Sequence, residues 1–171
     1  MDLAVRLAHL NPDQPSLSGV GSFCVRHGDG RLDRMLAWML RMPPATGAAK
    51  TRLTVTPSGS GERWERSFDD WLLITTQRQA SDGCLIERFG LLELRFRLEV
   101  REGTLFFRQA GAALGLGKLR ISLPRWMAPR VEAREEAAER DLTHVKVTVA
   151  VPVAGRLISY EGHIRRQEVK R

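Results

Sequence analysis

The sequence contains few of the residues that build disulfide frameworks and metal sites. It has two cysteines, Cys24 and Cys84, and four histidines in 171 residues. Two cysteines cannot form a disulfide framework, and these two lack the C-x-x-C spacing of a zinc or redox site. The histidines form no pair at i, i+2 or i+4 spacing, which disfavours a preformed metal site. We therefore expect two reduced thiols, no metal and no cofactor.

The sequence also lacks a long apolar run. No stretch approaches the roughly 20 apolar residues that a bilayer-spanning helix needs, and Met1–Arg6 does not resemble the start of a secretory signal. The composition, 43% hydrophobic and 27% charged, is that of a folded protein. We expect a cytoplasmic protein without a membrane span. It would consist of an N-terminal segment (1–18), one β-rich domain (19–166) and a basic tail (167–171).

Catalytic and phosphate-binding motifs are missing as well. The chain has no G-x-S-x-G elbow, and its glycines do not follow the G-x-G-x-x-G order of a dinucleotide site. We predict no catalytic residue, and an enzyme with a scattered site is the weakest alternative. The net charge of +7 raises the question of nucleic-acid binding through Lys118–Arg134 and the C-terminal tail. Because the basic residues are spread along the chain, nucleic acid is not the partner we favour.

One segment has the period of an amphipathic helix. Asp29 precedes it as a cap or dipole partner, and Pro43 and Pro44 stop it. From Arg31 to Met42 the apolar residues follow the spacing of one helix face: Leu32, Met35, Leu36, Met39 and Leu40. We expect this stripe to pack against a core.

After Lys50 the apolar period changes to two, which is typical of β-strands. The clearest case is Leu92–Val100, where apolar residues alternate with charged ones and predict one dry and one wet face. Val131–Ala138 is ambiguous, and we expect a strand that gives way to a helical turn or a hairpin loop after Glu135. About nine or ten short strands separated by turn residues predict a mainly antiparallel β fold. The sheet would be strongly curved into a barrel or half-barrel, with the helix on its concave face.

Short motifs in a fixed order resemble a known family. They start with Gly19-x-Gly21 and Phe23-x-Val25-x-His27-Gly28 before the helix, and continue with Met42-Pro43-Pro44-Ala45 after it. The later motifs are Trp64-Glu65-Arg66-Ser67-Phe68, Glu87-Arg88-Phe89-Gly90, Gly115-Leu116 leading to Leu123-Pro124, and Val151-Pro152-x-x-Gly155-Arg156-Leu157-x-x-Tyr160-x-Gly162. Across residues 19–165 this order resembles the family labelled domain of unknown function 4166.

The resemblance implies no established activity, but it marks polar positions. In that family the domain often follows a saccharopine-dehydrogenase-like reductase region, which this sequence does not contain. The matching motifs carry the polar residues Arg66, Glu87, Arg88 and Tyr160. If two of these side chains point into the concave face, they would be the polar contacts of a pocket.

Three functions from different classes follow. The first is non-enzymatic binding of a hydrophobic or lipid-like small molecule inside the curved sheet. Its pocket would be lined by the aromatic residues Trp64, Phe68, Phe96 and Phe106, beside the four polar residues named above. The second is an accessory or interaction domain for a reductase-type protein partner, without a ligand pocket. The third is nucleic-acid binding. The sequence leaves the oligomeric state, the ligand and the filling of the interior open.

Overall fold

The computed structural model describes residues 16–117, 119–139, 141–152 and 154–167, with a single helix and eleven strands in these ranges. The helix, α1, covers Arg31–Met39. The strands are β1 Leu17–His27, β2 Thr46–Ser58, β3 Gly61–Phe68, β4 Trp71–Gln79, β5 Leu85–Phe89, β6 Leu92–Arg101, β7 Thr104–Leu116, β8 Leu119–Ser122, β9 Arg130–Glu139, β10 Leu142–Val151 and β11 Gly155–Gln167.

The sheet closes on itself. The strand order is β6-β5-β4-β3-β2-β1-β11-β10-β9-β7-β8, and a further pairing joins β6 to β7. Ten antiparallel strands therefore form a closed barrel, and β8 extends one side of β7 outside the ring. The prediction of a curved antiparallel sheet with one helix is confirmed. Closure pairs the two strands that would otherwise be exposed edges of the barrel.

Glycine allows the close approach of β1 and β11. A Cβ atom added to Gly162 would lie 2.1 Å from the Ser22 carbonyl oxygen, and one added to Gly21 would lie 1.8 Å from the His163 carbonyl oxygen. No side chain fits at such distances from backbone atoms, so the two strands approach closely only because these positions carry glycine.

The edge of β7 is shared by two strands. Its first half, Thr104–Arg108, pairs with β9, whereas Ala113–Leu116 pairs with β8. Between these pairings, Gln109 donates from Nε2 to the Pro129 carbonyl oxygen and accepts from the Val131 amide at Oε1, both at 2.7 Å. This side chain satisfies backbone groups that no strand partner reaches.

The helix packs against β11 and β1, but with a different face from the predicted one. Asp33 and Ala37 are its buried residues, and Asp33 Oδ2 accepts a hydrogen bond from the Gly30 amide at 2.9 Å. In the predicted stripe, Leu32, Met35 and Leu40 are exposed, Leu36 is half-buried, and the side chain of Met39 is outside the description. The prediction that this stripe faces the core is wrong. A buried capping carboxylate and a small alanine set the orientation of this nine-residue helix.

Two strand predictions also need correction. Residues 130–139 form one continuous strand, β9, with no helical turn after Glu135, because pairing with both β7 and β10 overrides the helical propensity of the segment. The Leu92–Val100 run is extended as predicted, but only its first half has a dry face. Leu98 and Val100 are partly exposed near the end of β6. Residues 1–15 and 168–171, which include most of the predicted N-terminal segment and tail, lie outside the described residues.

Candidate functional site

The barrel encloses a cavity of about 100 Å³. In the same measure a single water molecule needs about 10–15 Å³, so the space holds several waters. Its wall is mostly apolar and is built from the inward-facing positions of all ten barrel strands. The apolar lining includes Leu17, Phe23, Leu53, Trp64, Phe68, Phe96, Phe107, Val131, Ala133, Val145, Val147, Tyr160 and Ile164.

A guanidinium group lies at the polar side of this cavity. Arg66 points inward because it alternates on β3 with outward-facing neighbours, and its Nη1 donates to Thr75 Oγ1 at 2.9 Å. Both of its terminal nitrogens lie 3.4 Å from Glu87 Oε1. Its Cζ atom lies 4.9 Å from the centre of the Trp64 ring, within cation–π range. The arginine is thus held by a hydroxyl, a carboxylate and an aromatic face.

Burial and charge act together on the titration of this cluster. Desolvation alone would lower the pKa of Arg66, but the charges of Glu87, Tyr160 and Glu135 outweigh it, and the pKa is raised. Desolvation, with Glu87 and Glu135 adding to it against the opposing charge of Arg66, raises the pKa of Tyr160 to about 12. At neutral pH the cavity therefore contains a charged arginine and a neutral phenol.

One buried acceptor in the wall has no partner. Gln77 lies on β4 directly opposite Glu87 on β5, and only 4% of it is exposed. Its Oε1 atom accepts no hydrogen bond within the described part of the chain. An unsatisfied buried acceptor costs about 1–3 kcal/mol. A donor group placed beside Gln77 would therefore gain more than a typical hydrogen bond.

The structure brings together six of the eight predicted site residues. Those that line the cavity are Arg66, Glu87, Tyr160, Trp64, Phe68 and Phe96. The other two face outward. Arg88 is exposed and donates from Nε to the Gly90 carbonyl oxygen, while Phe106 stacks with Arg108 outside the barrel. Both are sequence neighbours of lining residues, and strand alternation puts neighbours on opposite faces.

Several lining residues were not predicted from sequence. They are polar or small, and include Thr51, Gln77, Thr143, Glu135 and Arg166. Glu135 lies in Val131–Ala138, the segment for which the sequence did not distinguish strand from helix. For the others no motif or spacing gave a signal, because their position depends on the register of the closed barrel. Among the described residues, no group of three or more His, Cys, Asp or Glu side chains could hold a metal ion. None of the described helical residues forms a helix with the length and apolarity needed to cross a bilayer.

The family model described as "Domain of unknown function (DUF4166)" matches residues 3–164. The chain belongs to this family. The match covers nearly the whole sequence and confirms the resemblance drawn from the motifs between residues 19 and 165. No curated protein matches this DUF4166 chain.

A solved structure similar to this DUF4166 domain is a protein of unknown function from the DUF3598 family of Nostoc punctiforme. The two share 11% sequence identity, with a TM-score of 0.43. The similarity covers 91% of this chain and 48% of that protein, so the DUF4166 chain spans about half the length of its structural neighbour.

Proposed function

We propose that this domain binds a small amphipathic molecule, hydrophobic or lipid-like in its apolar part, inside the barrel. The observation that carries the proposal is the cavity inside the barrel, whose mostly apolar wall contains the polar cluster around Arg66 and Gln77. Small-molecule sites combine such apolar walls with a few convergent polar groups that fix orientation. The apolar part of the ligand would contact the rings of Trp64, Phe68 and Phe96.

The size of the cavity limits what enters it. Its 100 Å³ is smaller than the engineered cavity of about 150 Å³ that binds benzene, and smaller than the roughly 300–1,000 Å³ of drug-sized sites. The part of the ligand inside the cavity is therefore the end of a chain, or a single ring for which lining side chains shift slightly. A longer apolar tail would require lining side chains to move.

The polar cluster selects the head group. Arg66 offers donors to a carboxylate or a hydroxyl oxygen, and Gln77 Oε1 needs a donor. A hydroxyl group satisfies both because it donates and accepts. We expect hydroxylated apolar compounds to bind more tightly than hydrocarbons of the same size.

Phenol tests the proposal, since its ring and hydroxyl match the two parts of the site. We expect titration with phenol to shift the NMR signals of the Gln77 side-chain amide and of the backbone amides around Tyr160. Benzene should shift the same backbone amides more weakly. Two leucine variants on β9 supply a matched control. Ala133→Leu fills the cavity and should abolish the shifts, whereas Ala138→Leu changes an exposed position and should leave them unchanged. Unshifted interior signals at saturating phenol would refute the proposal.

The alternative of an interaction domain without a pocket gains support from exposed apolar side chains on α1. It offers no reason for a cavity inside the barrel with a buried acceptor that has no partner within the described residues. Small-molecule binding accounts for both features of the interior, so it is the function we propose.

A further inference from the structure

The exposed apolar side chains of the barrel are concentrated at one end. This end is formed by the last residues of β1, β3, β5, β7 and β10 and the first residues of β2, β4, β6, β9 and β11, as their pairing registers require. Helix α1 follows β1 and lies here too. Among the described residues, every large exposed apolar side chain except Leu98 and Val100 is at this end. We call it the apolar rim: Leu32, Met35, Trp38, Leu40, Trp71, Leu72, Leu91, Leu119, Ile121, Trp126 and Met127.

Three of the rim residues are tryptophans. The chain has four tryptophans, and only Trp64 is in the core. Trp38 is 79% exposed, Trp126 is 71% exposed, and Trp71 is partly exposed beside the helix, where its indole nitrogen donates to the Arg41 carbonyl oxygen at 3.1 Å. Several exposed side chains of this size at one end of a domain indicate a contact surface.

The charge around the rim is mainly positive. Three exposed carboxylates lie there, Asp29, Asp69 and Asp70. They are outnumbered by the exposed arginines, which come from α1, the segment after it, β8, the loop after β8 and the starts of β9 and β11: Arg31, Arg34, Arg41, Arg120, Arg125, Arg130 and Arg156. One of these, Arg120, pairs with Glu93 at 3.0 Å. The surface is thus complementary to a negatively charged partner.

We propose that the apolar rim docks this domain on an anionic membrane surface. Exposed Trp, Leu and Met side chains surrounded by arginine are typical of protein segments that lie in the lipid headgroup region. The apolar groups come from separate segments at this end of the barrel: α1 and its C-terminal cap, the start of β4, the β5–β6 turn, β8 and the loop after β8. Exposed apolar side chains on several separate segments fit a flat, deformable surface better than the single groove or patch that a protein partner fills. The docking requires no bound ligand, so it is independent of the cavity.

Co-sedimentation of the full chain with lipid vesicles tests the proposal. We expect binding to vesicles of phosphatidylcholine mixed with phosphatidylserine, weaker binding to phosphatidylcholine alone, and loss of binding as salt is added. Combining Trp38→Ser with Trp126→Ser should weaken binding at least about tenfold, since two apolar side chains no longer leave water. Combining Arg31→Gln with Arg34→Gln should weaken it about five-fold for each charge removed.

Matched controls come from the opposite end of the barrel. Leu98→Ser removes an exposed apolar side chain, and Arg97→Gln removes an exposed charge, so both should bind like the unchanged chain. Circular dichroism and thermal melts of all variants check that each has folded. Equal binding by rim and control variants, or no binding to anionic vesicles, would overturn the proposal. It would also be overturned by sedimentation of the lipid-free chain as a dimer that Trp38→Ser dissociates, which would assign the rim to a second copy.

Discussion

Replacing Arg66 with methionine should lower the free energy of unfolding by an amount that can be calculated from the contacts of Arg66. Methionine keeps most of the apolar stem but removes the guanidinium, which leaves Glu87 inside the barrel without its counter-charge. The side chains of the pair are 16% and 20% exposed, and the closest atoms lie 3.4 Å apart. Removing one partner of a fully buried pair costs about 3–5 kcal/mol. Because the pair is partly exposed and its closest atoms are 3.4 Å apart, the cost of breaking it falls to about 2 kcal/mol. Loss of the hydrogen bond to Thr75 adds about 1 kcal/mol.

Urea denaturation measures the free energy of unfolding of Arg66→Met, which should fall by about 3 kcal/mol. The double variant with Glu87→Gln should regain about 1–2 kcal/mol, because it removes the stranded charge. Arg63→Met is the matched control on the same strand. Arg63 pairs with Glu65 at 2.8 Å on the outer face, where the side chains are 45% and 37% exposed. Its loss should cost no more than about 0.5 kcal/mol. Equal losses for the two single variants, or no recovery in the double variant, would refute the view that Arg66 neutralises a buried carboxylate.

Three further predictions concern the barrel wall. Tyr160 is the chain's single tyrosine, so the ultraviolet absorbance of its phenolate should titrate near 12 rather than at its ordinary 10. The folded state holds this proton more tightly than the unfolded state does. The phenol therefore makes its full contribution to the free energy of unfolding below pH 10, and about 2–3 kcal/mol of that free energy should be lost by pH 12. A loss of the same size in Tyr160→Phe would contradict this. Gly162→Ala should lower the free energy of unfolding in urea by about 1–3 kcal/mol through overpacking. Gly111→Ala, which meets no atom within 4 Å, should be nearly neutral, and equal effects would argue against the close approach. Gln109→Ala should cost about 1–3 kcal/mol by leaving backbone groups unpaired at the β8–β9 split. A cost no greater than that of exposed Gln79→Ala would exclude the bridging role.

The sequence predicted the features that depend on local alternation. The period of two gave Leu92–Val100 as a strand, and the curved antiparallel sheet followed from many short strands. The motif resemblance marked Glu87 and Tyr160, which the closed sheet brings to the same cavity as Arg66. These residues lie either on a strand with an alternating pattern or in one short motif of the sequence.

Features that depend on strand register, or on which face of the helix is exposed to solvent, could not be predicted in the same way. Gln77 becomes a cavity residue only because the pairing register of β4 and β5 places it opposite Glu87. The apolar stripe of α1 has the spacing of a core-facing helix, but spacing does not distinguish a face that packs on the barrel from one that remains exposed for a partner. Asp33 and Ala37 determine the packed face instead. The helical propensity of residues 131–138 was likewise overridden by pairing with two neighbouring strands.

The most direct test of the central claim is native mass spectrometry of the full chain purified from the cells that produce it. We expect a mass above that of the polypeptide, an excess that disappears on denaturation, and loss of that excess in Ala133→Leu but not in Ala138→Leu. A native mass equal to that of the polypeptide would contradict a ligand-binding barrel. An excess that Ala133→Leu retains would also contradict it, because the molecule would then be bound outside the cavity.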